Sequence, residues 1–511
     1  MRSYLNRRTV ALAGLFVSLL VALGAWGISS PTGSSPDDTF HLGSIWCARD
    51  LPGRECSTVR ENQEPGIDAT LLPARIVRGS CYAMQPERSA SCQRWYHDNL
   101  IAGRTNAGLY PAGFYSVMHL FVGSDFVRSV LLIRAVNTTT AAVMVLLALL
   151  LSPVGLRRAF ALSLVATLVP LAVFFIPSTN PTSWAIVGLS TYWVFLIRFL
   201  TGPPGRATWL AGGLAGLAAA MAMSARTDAR AYLCVVTAGV VLLGITRLRD
   251  LFTRRHLLPL AVGLVAAVGF LTAQAANALT VGSSPLDASE PGRSGLSLLV
   301  NNVFNLPMYL MGMFGGSFGL GWIDTPLPWA VGPLMCALTF AVAVLSMGSY
   351  WRYKAVGVLM LAAASVVAPL VVLQQSHAFV GEVVQPRYVY PLFVVLVGFV
   401  AYTPPHRDGT RGLRLERGQV ALFAVAATIA NSYALHTEIK RYITGLDVRQ
   451  LDLGGAEWWW QSGPGPVAVW LIGTVAAAAV FALLGMLALD DAPRETSSEV
   501  SGEPHEVAQT T

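Results

Sequence analysis

Asp37, Asp38 and His41 stand together in "SPDDTFH", directly after a long apolar segment. Two carboxylates and an imidazole at that spacing suit proton transfer, metal ligation or hydrogen bonding to a substrate hydroxyl. A carboxylate partly buried at a membrane edge has its pKa raised, which suits a general base. If the stretch is helical, His41 shares a face with both acids. The alternative is a solvated cap, because Asp and Pro are common around helix starts. Arginines supply the complementary charge. Arg226 and Arg230 flank Asp228 in "SARTDAR", and Arg387 sits in "QPRY" between Gln385 and Tyr388. A guanidinium fork suits a phosphate, although Arg226 could equally be a topological anchor. Trp322 and Asp324 in "GWIDTPLP" offer a stacking face and a hydrogen-bond acceptor, and Asn180 opens "NPTSW". The run Trp458, Trp459 and Trp460 reads as an interfacial aromatic belt.

These residues need a frame, and composition supplies one. The chain has 511 residues, of which 54% are hydrophobic and 12% charged. Soluble domains carry about 25% charged residues. The expected fold is an all-α polytopic membrane protein of about twelve transmembrane helices. Candidate spans are 9–28, 128–150, 158–176, 182–200, 208–224, 230–246, 257–278, 327–347, 354–374, 388–403, 418–436 and 467–489. A crossing takes roughly 20 apolar residues, so 208–224 and 388–403 are short.

Charge orients the spans, because basic residues collect in short cytoplasmic loops. With the basic N-terminus inside, the inner loops hold Arg157 and Arg158, Arg206, then Arg247, Arg249, Arg254 and Arg255. They also hold Arg352 and Lys354, then Arg407, Arg411, Arg414 and Arg417. Both termini are thus expected in the cytoplasm of a cell (inner or plasma) membrane, with the candidate site extracytoplasmic. This pattern explains the net charge of +7 without nucleic acid. The first span has a basic start and an apolar middle, as a cleaved signal peptide does, but its length favours a retained helix. Residues 1–489 read as one integral-membrane domain, and the polar tail 490–511 as disordered and cytoplasmic.

The loop 29–127 is far longer than an ordinary connection. It carries Cys47, Cys56, Cys81 and Cys92. On an oxidising face they read as disulfides, and local closure favours Cys47–Cys56 and Cys81–Cys92 over the other pairings. A zinc site fits spacings of nine and eleven poorly. The apolar stretch 109–123 is too short to cross and is expected at the interface. Arg134, inside the second span, must face protein or water. None of the twelve span interiors contains Asp or Glu. Coupled transporters usually place acids there, so this pattern favours an interfacial enzyme acting on a lipid-linked substrate.

The stretches "SPDDTFH", "FIPSTNPTSWAI", "FGLGWIDTPLPW" and "VVQPRYVYPLF", in that order, resemble the predicted membrane proteins of the domain-of-unknown-function 2142 family. Asp38 stands where that family usually has Glu, Ile323 where Leu is common and Pro386 where Gly is common. The family is similar in layout to the GT-C class of membrane glycosyltransferases. That resemblance implies a polyprenyl-phosphate-linked sugar donor, an envelope glycan or lipid acceptor, and a site open to the bilayer. It implies Asp37 as general base, with Arg387 first and Arg226 second for the donor phosphate. Asp38 and His41 would orient the acceptor or hold a divalent metal such as Mg or Mn. Trp322 and Asp324 would shape the sugar pocket, beside Gln385, Tyr388 and Asn180. Residues sharing one sugar phosphate must lie within about 15 Å of one another. The rival reading is a transporter or flippase of lipid-linked glycans, and a third is a structural protein of envelope assembly.

Overall fold

The computed structural model describes residues 2–49, 56–60, 68–96, 99–105, 110–244, 251, 253–280, 292–316, 318–345, 347, 351–403, 415–448 and 451–489. The tail 490–511 and the basic residues Arg247, Arg249, Arg407, Arg411 and Arg414 lie outside the described residues.

The bundle begins with α1 (Arg2–Ile28), followed by a loop region containing α2 (Asp38–Trp46), α3 (Ala74–Val77) and α4 (Ala112–Met118). Then come α5 (Phe126–Leu151), α6 (Val154–Thr167), α7 (Pro170–Phe175), α8 (Thr182–Thr201), α9 (Arg206–Ala225), α10 (Thr227–Gly244) and α11 (Leu257–Thr280). The remainder is α12 (Gly295–Met311), α13 (Val331–Leu345), α14 (Arg352–Gln375), α15 (Tyr390–Ala401), α16 (Arg417–Ile443) and α17 (Pro466–Leu489). Among the described residues, nine helices are long and apolar enough to cross a membrane. All twelve expected spans fall on helix, and the protein is an all-α polytopic membrane protein.

Small residues set the packing, as they do where lipid removes the hydrophobic drive between helices. Ala211, Ala215, Ala218, Ala219 and Ala222 of α9 are buried, and α9 packs along α8. A Cβ on Gly188 of α8 would come within 2.7 Å of the Ala218 carbonyl oxygen, so the two backbones nearly touch. The opposite surfaces are apolar and open, as along α11, where Leu257, Leu260, Leu264 and Leu271 are exposed.

Three features depart from the sequence reading. The third span is broken. Pro170 lacks an N–H and biases Val169 to extended geometry, so α6 stops at Thr167 and α7 restarts at Pro170. The carbonyls left at the break are met by other helices. Tyr390 donates its hydroxyl to the Thr167 oxygen, and Asn431 Nδ2 donates to the Leu168 oxygen at 3.1 Å. The tenth span is short, as its sequence indicates: α15 has 12 residues, about 18 Å of helix.

A further helix, α12, lies in the loop expected between the seventh and eighth spans. It runs along residues 374–385. Gln374 donates to the Gly295 oxygen, Asn302 to the Ala378 oxygen and Tyr309 to the Gln385 oxygen. Its other side exposes Leu296, Val300, Phe304 and Met308, the pattern of a helix lying in an interface. Finally, α16 continues past residue 436 to Ile443 and carries Glu438 fully buried into the bundle. The apparent absence of acids from the spans therefore does not hold for the folded chain.

The long loop folds over one end of the bundle, called here the loop face. It contains an unexpected three-stranded antiparallel sheet, β1 (Thr58–Arg60), β2 (Asp68–Pro73) and β3 (Leu100–Gly103), with Thr58 opposite Thr70 and Leu71 opposite Ala102. Both expected disulfides form. Cys47–Cys56 ties the end of α2 to the start of the sheet, and Cys81–Cys92 closes the segment beyond α3. α4 is short and buries Phe114, Tyr115 and Met118.

Candidate functional site

Residues 29–37 form a strap between α1 and α2, and side chains from distant parts of the chain hold its carbonyls. Arg134 of α5 donates Nη1 to the Gly27 and Ser30 oxygens at 2.8 and 2.7 Å, and Nη2 to the Pro31 oxygen at 2.7 Å. Tyr82 and Gln93, either side of a disulfide-closed turn, both donate to the Thr32 oxygen. Trp322 Nε1 donates to the Gly33 oxygen at 2.8 Å, and Asn180 Nδ2 to the Pro36 oxygen at 2.9 Å. Gly33 has φ +81°, and a Cβ there would lie 2.7 Å from the Gly79 carbonyl carbon, so the strap crosses the α3 turn in direct contact.

The strap ends at Asp37, the residue preceding α2, which adopts the left-handed conformation at φ 62°. Few non-glycine residues do this, Asp and Asn more often than most, and such strain gathers at functional positions. The Asp37 side chain makes no capping hydrogen bond to α2. Arg387 Nη2 lies 3.2 Å from Asp37 Oδ2, with the Asp37 side chain 39% exposed and that of Arg387 2% exposed. The pair joins the first and last of the four motifs, far inside the 15 Å limit. Arg387 also packs on the Phe175 ring at 5.1 Å and the Tyr388 ring at 5.2 Å. The α6–α7 break matters here, because α7 ends on Phe175. Arg387 Nε and Nη1 are buried and have no hydrogen-bond partner among the described residues.

Arg226 also packs on Tyr388, 4.5 Å from its ring, and lies 5.5 Å from that of Tyr110. Its charge is matched by Asp228 at 2.7 Å. Of the two arginines, Arg387 is therefore the one with vacant donors.

The second acid is used differently from the first. Asp38 is fully buried and accepts from Gly33 N at 2.8 Å and from the Thr179 hydroxyl. Burial raises its pKa, against the opposing field of Arg134. His41 is fully buried too, with Nδ1 2.9 Å from the Tyr115 hydroxyl and its ring edge-on to Tyr110. Burial, then the charges of Arg387 and Arg226, hold its pKa well below the usual value of 6.5. The imidazole is therefore neutral. Residues nominated for a divalent cation do not make a donor set. Asp38 spends both oxygens inside the protein, Asp37 faces a guanidinium, and no cluster of three His, Cys, Asp or Glu suited to a metal occurs among the described residues.

Three other nominated residues are structural in geometry. Asp324, 6% exposed, accepts from Met84 N at 2.9 Å and from Arg441 Nη2 at 2.8 Å. Trp322 spends its N–H on the strap. Asn180 does likewise, while its Oδ1 accepts from Thr182 N at the start of α8. Gln385 lines a small cavity with Phe175, Phe318, Ile323 and Arg387. Trp458 belongs to a buried cluster with Tyr82, Ala90 and Tyr442 rather than to a lipid-facing belt. Sequence reasoning missed Tyr82, Gln93, Thr179 and Phe175, which carry no individual signal. Arg441, at the far end of α16, is a further residue of this kind.

No curated protein matches the chain. Among solved structures, ArnT from Cupriavidus metallidurans bound to undecaprenyl phosphate is similar, at 14% identity and a TM-score of 0.39, over 94% of this chain and 76% of that one. Residues 20–396 run from α1 through the strap, Asn180 and Trp322 to Arg387, and they match the family described as Predicted membrane protein (DUF2142); the chain belongs to that family.

Proposed function

We propose that this protein is a membrane glycosyltransferase that takes a sugar from a polyprenyl-phosphate donor and passes it to an envelope glycan or lipid acceptor on the extracytoplasmic face. One observation carries the reading. A buried guanidinium touches a half-exposed carboxylate through one nitrogen and keeps Nε and Nη1 vacant. Nε and Nη1 lie on different edges of the guanidinium, and each edge becomes a two-donor fork for phosphate oxygens once Nη2 leaves Asp37. The donor phosphate would draw Arg387 away from Asp37 and leave that carboxylate to act as base.

Asp37 takes the proton from the acceptor hydroxyl as its oxygen attacks the anomeric carbon. The sugar–phosphate bond breaks, and the polyprenyl phosphate leaves with its charge held by Arg387. A single displacement of this kind inverts the anomeric centre. Asp38, Asn180, Trp322 and Arg134 fix the strap that aims Asp37, and His41 with Tyr110 backs the arginine pair. Transfer from a panel of polyprenyl-phosphate sugars tests this: wild type should transfer, and Asp37→Asn should be slower by about 10²–10⁴. Wild-type rates in Asp37→Asn would refute the base assignment.

Glu438 favours a second reading, export of a lipid-linked glycan without chemistry. Its two carboxylate oxygens are buried in the bundle and have no hydrogen-bond partner among the described residues, as acids on transport paths often are. That reading requires flipping of a labelled polyprenyl-phosphate sugar in vesicles, lost in Glu438→Gln, with no transfer to any acceptor.

A further inference from the structure

A second, larger cleft opens on the loop face, with a volume of about 770 Å³, within the range of ligand pockets. Trp459, Trp460, Tyr96 and Phe126 line it, and each is partly exposed. The indoles are fixed before any ligand arrives. Trp460 Nε1 donates to the Ile28 oxygen at 2.8 Å and Trp459 Nε1 to the Pro464 oxygen at 2.9 Å. Trp458 packs against both rings. A tryptophan of a membrane belt turns its N–H to the wet side of the interface. Here both N–H groups are spent on the protein, so the rings offer the cleft apolar face.

The polar lining narrows the ligand class. Arg75 already holds an interaction within the protein, and Gln93 spends its amide N–H groups on the Thr32 and Gly79 oxygens. Among the described residues, the lining charges left to meet a ligand are Arg94 and Asp125, which are opposite and cancel. A charged ligand would meet one attraction and one repulsion there, and would shed its hydration for no net gain. Gln461 and Ser462 are exposed in the cleft and carry both donors and acceptors. Fixed aromatic faces edged by neutral donors and acceptors match an uncharged sugar ring, which has a C–H face to stack and a rim of hydroxyls. Thr32 lines the cleft and belongs to the strap that ends on Asp37. Five residues of extended chain reach at most about 18 Å, a distance a few sugar rings can bridge.

We propose that this cleft binds an uncharged oligosaccharide. Taking that oligosaccharide as the acceptor rests on the glycosyltransferase reading, whereas its binding does not. The test uses the full chain in phosphatidylcholine nanodiscs, read by saturation-transfer NMR of the sugar protons. The probes are cellotetraose, maltotetraose and α-1,6-mannotetraose, with tetragalacturonate as the charged comparison. At least one uncharged probe should bind saturably, and tetragalacturonate should bind no more tightly than it does. Trp459→Leu, which keeps an apolar side chain without the ring, and Gln461→Ala on the exposed rim should each weaken that probe. The expected loss is about threefold to tenfold, the range of one aromatic contact or one neutral hydrogen bond. No binding of any uncharged probe at several millimolar, tighter binding of tetragalacturonate than of all three, or unaltered binding in both variants would overturn the proposal. So would phosphatidylglycerol that copurifies with wild type and not with Trp459→Leu while every sugar fails to bind. Farnesyl phosphate, titrated separately into wild type and Arg387→Ala, reports on the donor site alone. Sugar binding without transfer in any assay would count against the glycosyltransferase reading and leave the cleft assigned.

Discussion

Arg441 of α16 and Asp324 of the turn before α13 form an ion pair of 2.8 Å that is almost wholly removed from solvent, at 0% and 3% side-chain exposure. Arg441 also donates to the Tyr82 and Arg88 carbonyl oxygens, and Asp324 accepts from Met84 N. One pair thereby clamps the bundle, the Trp322 turn and the Cys81–Cys92 segment. Leaving one buried charge alone costs about 3–5 kcal/mol. Asp324→Ala should show that loss in thermal unfolding in detergent, and Asp324→Asn a smaller one.

Arg387 should tolerate no substitute. Arg387→Lys keeps the charge but loses the planar fork. A surface plasmon titration of farnesyl phosphate should show both Arg387→Lys and Arg387→Ala weakened by at least about tenfold, the value of a single charge-assisted bond. Recovery of wild-type affinity in Arg387→Lys would mean that charge alone suffices.

Asp37→Asn should lower kcat by about 10²–10⁴, the usual share of a general base, with KM altered only slightly. Asp37→Glu should retain measurable transfer. A fall in KM affinity as large as the fall in kcat would assign Asp37 to binding instead.

His41 gives the protein a defined acid sensitivity. Its folded pKa lies below the unfolded value of 6.5, so below that pH the unfolded chain takes up a proton that the folded protein refuses. The stability it contributes is complete above pH 6.5 and is lost as pH falls toward the folded pKa, at up to about 1.4 kcal/mol per pH unit. Melting of wild type between pH 7.5 and 5 should show this decline, and His41→Gln should flatten it. Asp38 has the opposite sign. Its raised pKa makes its contribution largest at low pH and costs stability as pH rises through the folded value.

Ile323 stores strain, with a β-branched side chain at φ 63°. The left-handed region costs such a residue about 1–2 kcal/mol. Ile323→Gly should therefore hold or raise the melting temperature despite losing apolar surface, whereas Ile323→Val should not.

How much of this is legible in the sequence depends on the range of the interaction. Hydropathy and arginine placement located the helices, and short closures located both disulfides. Asp37 and Arg387 were identifiable because a carboxylate and a guanidinium at apolar helix ends are costly and invite a reason. The α6–α7 break was announced only by Pro170, and hydropathy averages over it because both halves are apolar. Glu438 lay two residues beyond an expected span, an error within the ordinary uncertainty of helix ends. Trp322, Asp324 and Asn180 were singled out by type, but their partners, Gly33, Arg441 and Pro36, lie 117 to 289 residues away. No local pattern distinguishes a side chain that grips a carbonyl from one that grips a ligand.

The strap has a consequence for biogenesis. Asp37 leaves the ribosome early, yet its partner Arg387 follows 350 residues later. At about 5–20 residues per second that delay is roughly 20–70 s. In the interval Asp37 has no guanidinium beside it, and the Gly33 carbonyl has no Trp322. A truncated or half-inserted chain thus holds every residue of the first motif and still lacks the paired site. Completion of the bundle is what brings Arg387 to Asp37.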